Sequence, residues 1–224
     1  MNFFPAGIKI ILASRSPRRK KLLFLLSRRF NVIFPDDDSG APGKFLRQDA
    51  AMYYCRKKAQ SVRHHLKPGN LIITADTIVC LGKKILGKPR TTAEAGTMLQ
   101  DLSGRKHEVF TAVSMETINA SETFYVRSEV LFRKLDHREI TEYVNKFRPF
   151  DKAGAYGLQE LMPAKIRFTP SPPFERVIYT PVKKFFFIKE IKGSYTNVMG
   201  LPLKELFLYV SLLLKERKDV KTSR

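Results

Sequence analysis

Residues 8–12 (IKIIL) constrain this chain most, because the turn and helix signals directly after them leave few local structures open. A short run dominated by β-branched apolar residues reads as a buried strand. It stops at Ala13-Ser14-Arg15-Ser16-Pro17, where Ser16 is a good helix N-cap and Pro17 carries the φ of a first helical residue. Leu22, Leu23, Leu25 and Leu26 then form a broad apolar helix face. The opening is therefore a strand, a tight turn and a helix. Arg18, Arg19, Lys20 and Lys21 crowd the helix's first turn, where the dipole is already positive. An anion docked there resolves the conflict; a solvated basic turn is the plain alternative.

Further along, residues 31–34 (NVIF) read as a second strand running into Pro35 and the polar stretch 36–40. Residues 49–66 are helix-like, and Pro68-Gly69-Asn70 is a turn. Residues 71–74 (LIIT) read as a buried strand that delivers Ala75-Asp76-Thr77 at its end; 78–81 resume as strand before a hairpin turn at Gly82-Lys83-Lys84. Helices are expected over 91–102, 136–145 and 203–215, and a strand pair over 108–115 and 123–133. Residues 151–157 (DKAGAYG) are too glycine-rich for a regular element and read as a binding loop. Residues 160–184 contain Pro163, Pro170, Pro172, Pro173 and Pro181 with no sustained periodicity, and are expected to form a mobile surface excursion. A basic tail at about 216–224 is expected to fray. Early strand–helix alternation followed by strand pairs predicts an α/β fold with a mixed sheet.

A hydrophobic share of 43% supports a sizeable core over 224 residues, enough for one domain or two lobes sharing a cleft. No apolar run reaches about 18 residues, which excludes a helical membrane span, and residues 1–12 lack the basic start of a secretory leader. A cytoplasmic protein is expected, with Cys55 and Cys80 as small core residues rather than metal ligands. Against 21 acidic residues stand 41 Lys and Arg, a net charge of +20. That balance favours polyanionic partners without choosing among nucleic acid, anionic membrane and phosphorylated small molecules. No nucleic-acid signature accompanies it.

Chemistry on a polyphosphate requires cations or N–H groups for the phosphates, a divalent metal to offset charge, and an activated water. Ser14, Arg18 and Arg19 at the strand-to-helix turn suit the first need, with Lys88 beyond the hairpin as a second cation. Asp76 at a strand end suits metal binding and the activation of water. Asp36, Asp37 and Asp38, taken singly, fit a solvated turn. His64 and His65 are adjacent and cannot chelate together from a helix, and His107 is structural or supports the site from behind.

Five stretches together resemble the Maf-like nucleotide pyrophosphatases, or septum-formation inhibitor proteins: 12–23 (LASRSPRRKKLL), 73–89 (ITADTIVCLGKKILGKP), 98–113 (MLQDLSGRKHEVFTAV), 151–159 (DKAGAYGLQ) and 193–203 (GSYTNVMGLPL). They occur in the family's order and cover nearly the whole chain outside the Pro-rich segment. The resemblance implies a twisted mixed sheet with flanking helices and a deep cleft, related to inosine-triphosphate pyrophosphatases and often dimeric. It implies cleavage of a nucleoside triphosphate between the α and β phosphates with Mg2+ or Mn2+. By the same resemblance, Asp76 is the proton acceptor and a metal contact, with Asp38 as a further metal contact. Arg18, Thr77 and Gln159 match positions that set specificity, and Ser14, Arg19, Lys58 and Lys88 match phosphate-side positions. The loop ending in Gln159 is similar to that of the branch acting on dTTP and UTP. An amide that donates and accepts at once suits the alternating edge of uracil or thymine.

Three positions depart from the family's pattern. Asp38-Ser39 stands where a glutamate pair is common, Lys57 where an acidic residue often precedes the lysine, and Glu160 where a glycine usually follows the glutamine. With the +20 charge, these departures leave open a second reading: a nucleic-acid-binding or division-regulatory protein on the same fold.

Overall fold

The computed structural model describes residues 3–36, 45, 47–169, 171, 174–179 and 185–219; Asp38 and Ser39 lie outside them. The first apolar run becomes β1 (Lys9–Ala13). Ser16 caps α1 (Pro17–Leu26), its hydroxyl accepting the Arg19 backbone N–H, an arrangement worth about 1 kcal/mol. Leu22, Leu23 and Leu26 are buried by α1. The chain then forms β2 (Asn31–Ile33), α2 (Arg47–Ser61) and β3 (Asn70–Leu81), with β2 and β3 both parallel to β1 and on either side of it.

Asp76 does not end a strand, contrary to the sequence expectation: β3 runs unbroken for 12 residues. Its two neighbours explain why. β1 accompanies β3 only as far as Ala13 opposite Thr74, whereas β5 (Lys106–Glu116) continues antiparallel along it, with Asp76 opposite Ala112 and Thr77 opposite Thr111. The pairing with β5 keeps the polar residues extended. The departure of β1 into the Ser14–Ser16 turn opens the sheet beside them, and Asp76 and Thr77 are the pair that keeps some exposure within an otherwise buried strand.

A hairpin joins β3 to β4 (Lys84–Leu86), followed by α3 (Thr92–Leu102), β6 (Ser121–Phe132) antiparallel to β5, and α4 (His137–Phe147) with a capping box between Asp136 and Glu139. The short α5 (Leu158–Leu161) precedes β7 (Ala164–Phe168) and β8 (Glu175–Tyr179). β9 (Ile188–Lys192) adds to β6, and α6 (Tyr195–Met199) and α7 (Leu203–Asp219) complete the described chain. The large sheet has the order β2-β1-β3-β5-β6-β9 with β4 also on β3. It is parallel on one side of β3 and antiparallel on the other, the mixed α/β arrangement that the sequence predicts.

The Pro-rich segment departs from its reading as an excursion without regular structure. β7 and β8 pair as an antiparallel hairpin, Ala164 opposite Tyr179 and Phe168 opposite Glu175. Ala164-Lys165-Ile166-Arg167-Phe168 alternates apolar with basic, and the prolines fall outside both strands. Phe168 is buried, with its ring edge-on to Phe3 and Phe207 at 5.4 Å each. That anchor ties the hairpin to the apolar cluster of Leu12, Leu22, Leu23, Leu71 and Leu206. A second cluster gathers Leu99, Val130, Phe132, Tyr143 and Phe187. Each fully buried side chain of this size contributes roughly 1.5–3 kcal/mol. Met199 packs against both clusters and borders the cleft between β1, β3 and the 151–159 loop.

Candidate active site

A cleft of about 270 Å³ opens where β1 leaves β3. Ser14, Arg18, Arg19, Lys58, Asp76, Thr77, Lys88 and Gln159 all line it. Residues separated by as much as 145 positions in sequence therefore meet around one space. Asp38 lies outside the described residues. Lys57 is exposed on α2 and is not among the cleft's lining residues, so its charge faces away from the space that Lys58 enters.

The basic first turn of α1 is built into the site. Arg19 donates through Nε to the Gly200 carbonyl at 2.8 Å and through one terminal nitrogen to Thr77 Oγ1 at 2.9 Å. Gly200 has a φ of +106°, and a Cβ there would lie 3.2 Å from Thr77 Oγ1, so a glycine serves both the turn and the close approach. Thr77 continues the chain of contacts to the Thr111 hydroxyl at 3.0 Å, which donates to the Asn197 carbonyl at 2.9 Å. Such a chain holds a guanidinium in one orientation, and a planar fork held in place suits a phosphate better than a mobile cation does.

Ser14 Oγ accepts the Ser16 backbone N–H at 3.1 Å and an Arg19 terminal N–H at 3.5 Å. Its own proton remains available for a phosphate oxygen. Two backbone amides of this turn, those of Ser16 and Arg19, are taken up by the hydroxyls of Ser14 and Ser16.

Opposite the turn, Lys58 Nζ donates to Asp76 Oδ1 at 2.5 Å, with both side chains largely buried. Beneath them, Cys55 contacts Thr74 with its sulfur 3.6 Å from the hydroxyl. Burial, reinforced by the Asp76 charge, pushes the Cys55 thiol up to about 12. It stays protonated, so the sulfur is core rather than nucleophile. His107 is buried with Nε2 2.9 Å from the Tyr156 hydroxyl. Burial pushes its pKa down to about 3, so the neutral ring supports Tyr156 on the cleft wall. His64 and His65 are exposed, as expected.

The far wall is held by pairings that the sequence alone does not show. Arg18 donates to the Asp151 carboxylate at 2.8 Å. Lys152, buried, bridges Asp151 Oδ1 at 2.8 Å and Glu160 Oε1 at 3.3 Å. Burial raises the pKa of Asp151, but hydrogen bonds from Lys152 and Arg18 outweigh it and hold the carboxyl below the usual range. Asp151 and Lys152 stand in the 151–159 loop, yet the pairing of Asp151 with Arg18 spans 133 positions and has no local signal. Glu160 also accepts from the Tyr143 hydroxyl at 2.5 Å and from Gln159 Nε2 at 3.3 Å.

Among the described residues, no cluster of three or more His, Cys, Asp or Glu could cage a metal. Asp76 and the exposed Asp36 are acidic side chains on the cleft's lining beside its cations. This set fits a Mg2+-type ion held by one or two carboxylates together with substrate phosphates, rather than an all-protein cage.

The Maf-like protein family matches residues 9–168. A Bacteroides thetaiotaomicron protein named dTTP/UTP pyrophosphatase is 40% identical over 200 residues, covering 89% of this chain and 93% of its own. Proteins of the same name from Porphyromonas gingivalis and Bacillus cereus strain AH187 are 37% and 38% identical, covering 94% and 88% of this chain and 94% and 92% of their own. The solved structure of the Staphylococcus aureus Ham1 protein matches with a TM-score of 0.38 at 15% identity, covering 55% of this chain and 71% of that one. With the family's match spanning most of the chain and relatives aligned nearly end to end, this chain belongs to the Maf-like family.

Proposed function

We propose that the chain hydrolyses dTTP and UTP to the monophosphate and pyrophosphate, using a divalent cation, Mg2+ or Mn2+. The observation that carries this reading is the single cleft in which Asp76 meets Ser14, Arg18, Arg19, Lys58 and Lys88, with Thr77 and Gln159 on its walls. The names of the relatives aligned over most of their length support it. In this reading a water oxygen attacks phosphorus at the α–β linkage, the bridging P–O bond breaks, and pyrophosphate leaves. Asp76 takes the water's proton, and Lys58, donating to Oδ1 at 2.5 Å, orients the carboxylate. Arg19, Ser14 and Lys88 bind the phosphate oxygens. When bound at Asp76, with Asp36 or Asp38 assisting, the cation supplies charge neutralisation and a more acidic water.

The nucleotide is the partner in this reading. The homodimer that the family resemblance implies and the cytoplasmic setting expected from the sequence belong to the same proposal, and light scattering on the purified chain reads the first. The deciding experiment is a panel of nucleoside triphosphates with Mg2+ or Mn2+, following pyrophosphate release. Turnover greatest with dTTP and UTP is expected; no pyrophosphate from any nucleotide at high protein concentration would end this reading.

A further inference from the structure

We propose that Glu160 is a positioning residue for base selection: it fixes the Gln159 carboxamide with its oxygen as the acceptor for an imide N–H, the group at ring position 3 of uracil and thymine. The inference rests on the proposed binding of pyrimidine nucleotides and adds a determinant outside the family's pattern, where a glycine usually stands.

The geometry begins with what a carboxylate can do. An ionised carboxylate accepts and never donates, so the Gln159 atom facing Glu160 Oε1 at 3.3 Å is the amide nitrogen. Rotating the amide by half a turn would set two acceptors against each other. Gln159 Oε1 must then point away from Glu160, and it is buried on the cleft wall without a hydrogen-bond partner. An orphaned acceptor of this kind costs about 1–3 kcal/mol, and a donor brought in by a ligand relieves that cost.

Glu160 is itself held firmly. Its Oε1 faces the ammonium of buried Lys152 at 3.3 Å, and its Oε2 accepts from the Tyr143 hydroxyl at 2.5 Å. Tyr143 is fully buried, its hydroxyl also accepts the Gly157 N–H at 3.0 Å, and burial raises its pKa, so it stays a donor. Gly157 allows the closeness of this group: a Cβ there would lie 2.9 Å from both Gln159 Nε2 and the Glu160 carboxyl. The carboxamide is thus set by a network anchored in α4 and the 151–157 loop.

The consequence is chemical. Uracil and thymine offer a donor at N3, whereas cytosine offers a lone pair there, which would face the Gln159 oxygen. A site built to hydrogen-bond one group rejects the analogue that lacks it far more strongly than an apolar pocket can. Discrimination between uridine and cytidine nucleotides therefore depends on the amide's being unable to turn, and so on Glu160.

The test measures Kd for the non-hydrolysable α,β-methylene analogues of UTP and CTP, with UTP hydrolysis followed in parallel. Wild type, Glu160→Gln, Gln159→Ala and the double variant are compared. Gln at position 160 can donate or accept, so it satisfies either orientation of Gln159. The UTP-to-CTP affinity ratio should fall by about tenfold or more in Glu160→Gln, with the loss in UTP hydrolysis falling on KM rather than kcat. In the Gln159→Ala background the same change should leave the ratio where it is, because Glu160 acts through Gln159. Glu160→Asp, which withdraws the carboxylate from Gln159 but keeps its charge near Lys152, should lower the ratio as Glu160→Gln does, and serves if the first variant folds poorly. An unchanged ratio in folded Glu160 variants, or an equal fall with and without Gln159, overturns the inference. Intact binding preference without pyrophosphate release would instead count against the proposed activity alone.

Discussion

The two walls of the cleft solve different problems with different bonds. On the α1 side, Arg19 is oriented by a backbone carbonyl and a hydroxyl, so its planar fork is held in one direction beside the cleft that it lines. Across from it, Asp151, Lys152 and Glu160 alternate in charge, and Arg18 reaches over from α1 to close the chain at Asp151, so that wall is nearly self-neutralising and presents directed donors and acceptors. The first wall suits affinity for phosphate, where net charge dominates. The second suits discrimination among bases, where fixed geometry matters more than charge. Substitutions on the first wall should lower turnover or phosphate affinity steeply, and those on the second should act mildly and through KM.

The largest expected effect is at Asp76. Asp76→Asn keeps the shape while removing the proton acceptor, and kcat should fall by about 10³-fold with the protein still folded by circular dichroism. A folded variant with wild-type kcat would remove Asp76 from that role. Next comes a test of whether the hairpin supports the cleft or forms part of it. Phe168→Ala removes a buried ring in contact with Phe3 and Phe207 and should cost about 3–4 kcal/mol in chemical denaturation. Its kcat/KM at low temperature should stay within about twofold of wild type. A large catalytic loss in a still-folded variant would make the hairpin a third wall.

Smaller still is Arg19→Lys. An ammonium keeps the charge but cannot reach Gly200 and Thr77 as a planar fork does. A fall of about 10- to 30-fold in kcat/KM is expected, alike for UTP and CTP. A change in the UTP-to-CTP ratio would show that the walls are not separate in function.

The phosphate wall is largely legible in sequence because its parts announce themselves locally. Ser16-Pro17 after an apolar run fixes the strand–turn–helix, and four basic residues in a first turn mark a place that wants an anion. Asp76 stands out in sequence but at the wrong place in its strand, since LIIT followed by polar residues looks like a strand's end. Only the register with β5, 30 to 40 positions away, shows that the strand continues. The second wall is hidden in its pairings: Arg18 to Asp151 is a tertiary contact, and although Lys152 and Glu160 stand in stretches that the sequence marks, nothing local shows that they pair with each other or that Glu160 meets Tyr143 and Gln159. The β7–β8 hairpin and β9 escape for another reason. Proline density over the whole segment outweighs one five-residue alternation at β7 and a short apolar run in β8, and IKEIK at β9 follows a run of three phenylalanines that obscures its period.

The smallest expected effect bears directly on the self-neutralising wall. Asp151→Asn leaves Arg18 and Lys152 with a weaker acceptor while preserving shape. KM for UTP should rise about threefold with kcat little changed, in keeping with a residue that orients rather than reacts. Its pH signature has a definite sign. The folded carboxyl titrates below its unfolded value because Lys152 and Arg18 outweigh the upward push of burial. Its stabilisation is therefore complete above the unfolded pKa of about 4 and disappears as pH falls through the lower, folded value. Half of the Asp151 side chain is exposed, so solvent screens the pairs and the contribution at neutral pH is about 0.5–1 kcal/mol. Wild type and variant should differ by that amount in urea denaturation at pH 7 and converge in acid, once pH has fallen through the lowered folded value. A difference that persisted in acid would mean that Asp151 stabilises through packing, and the wall's charge alternation would then be incidental to its rigidity.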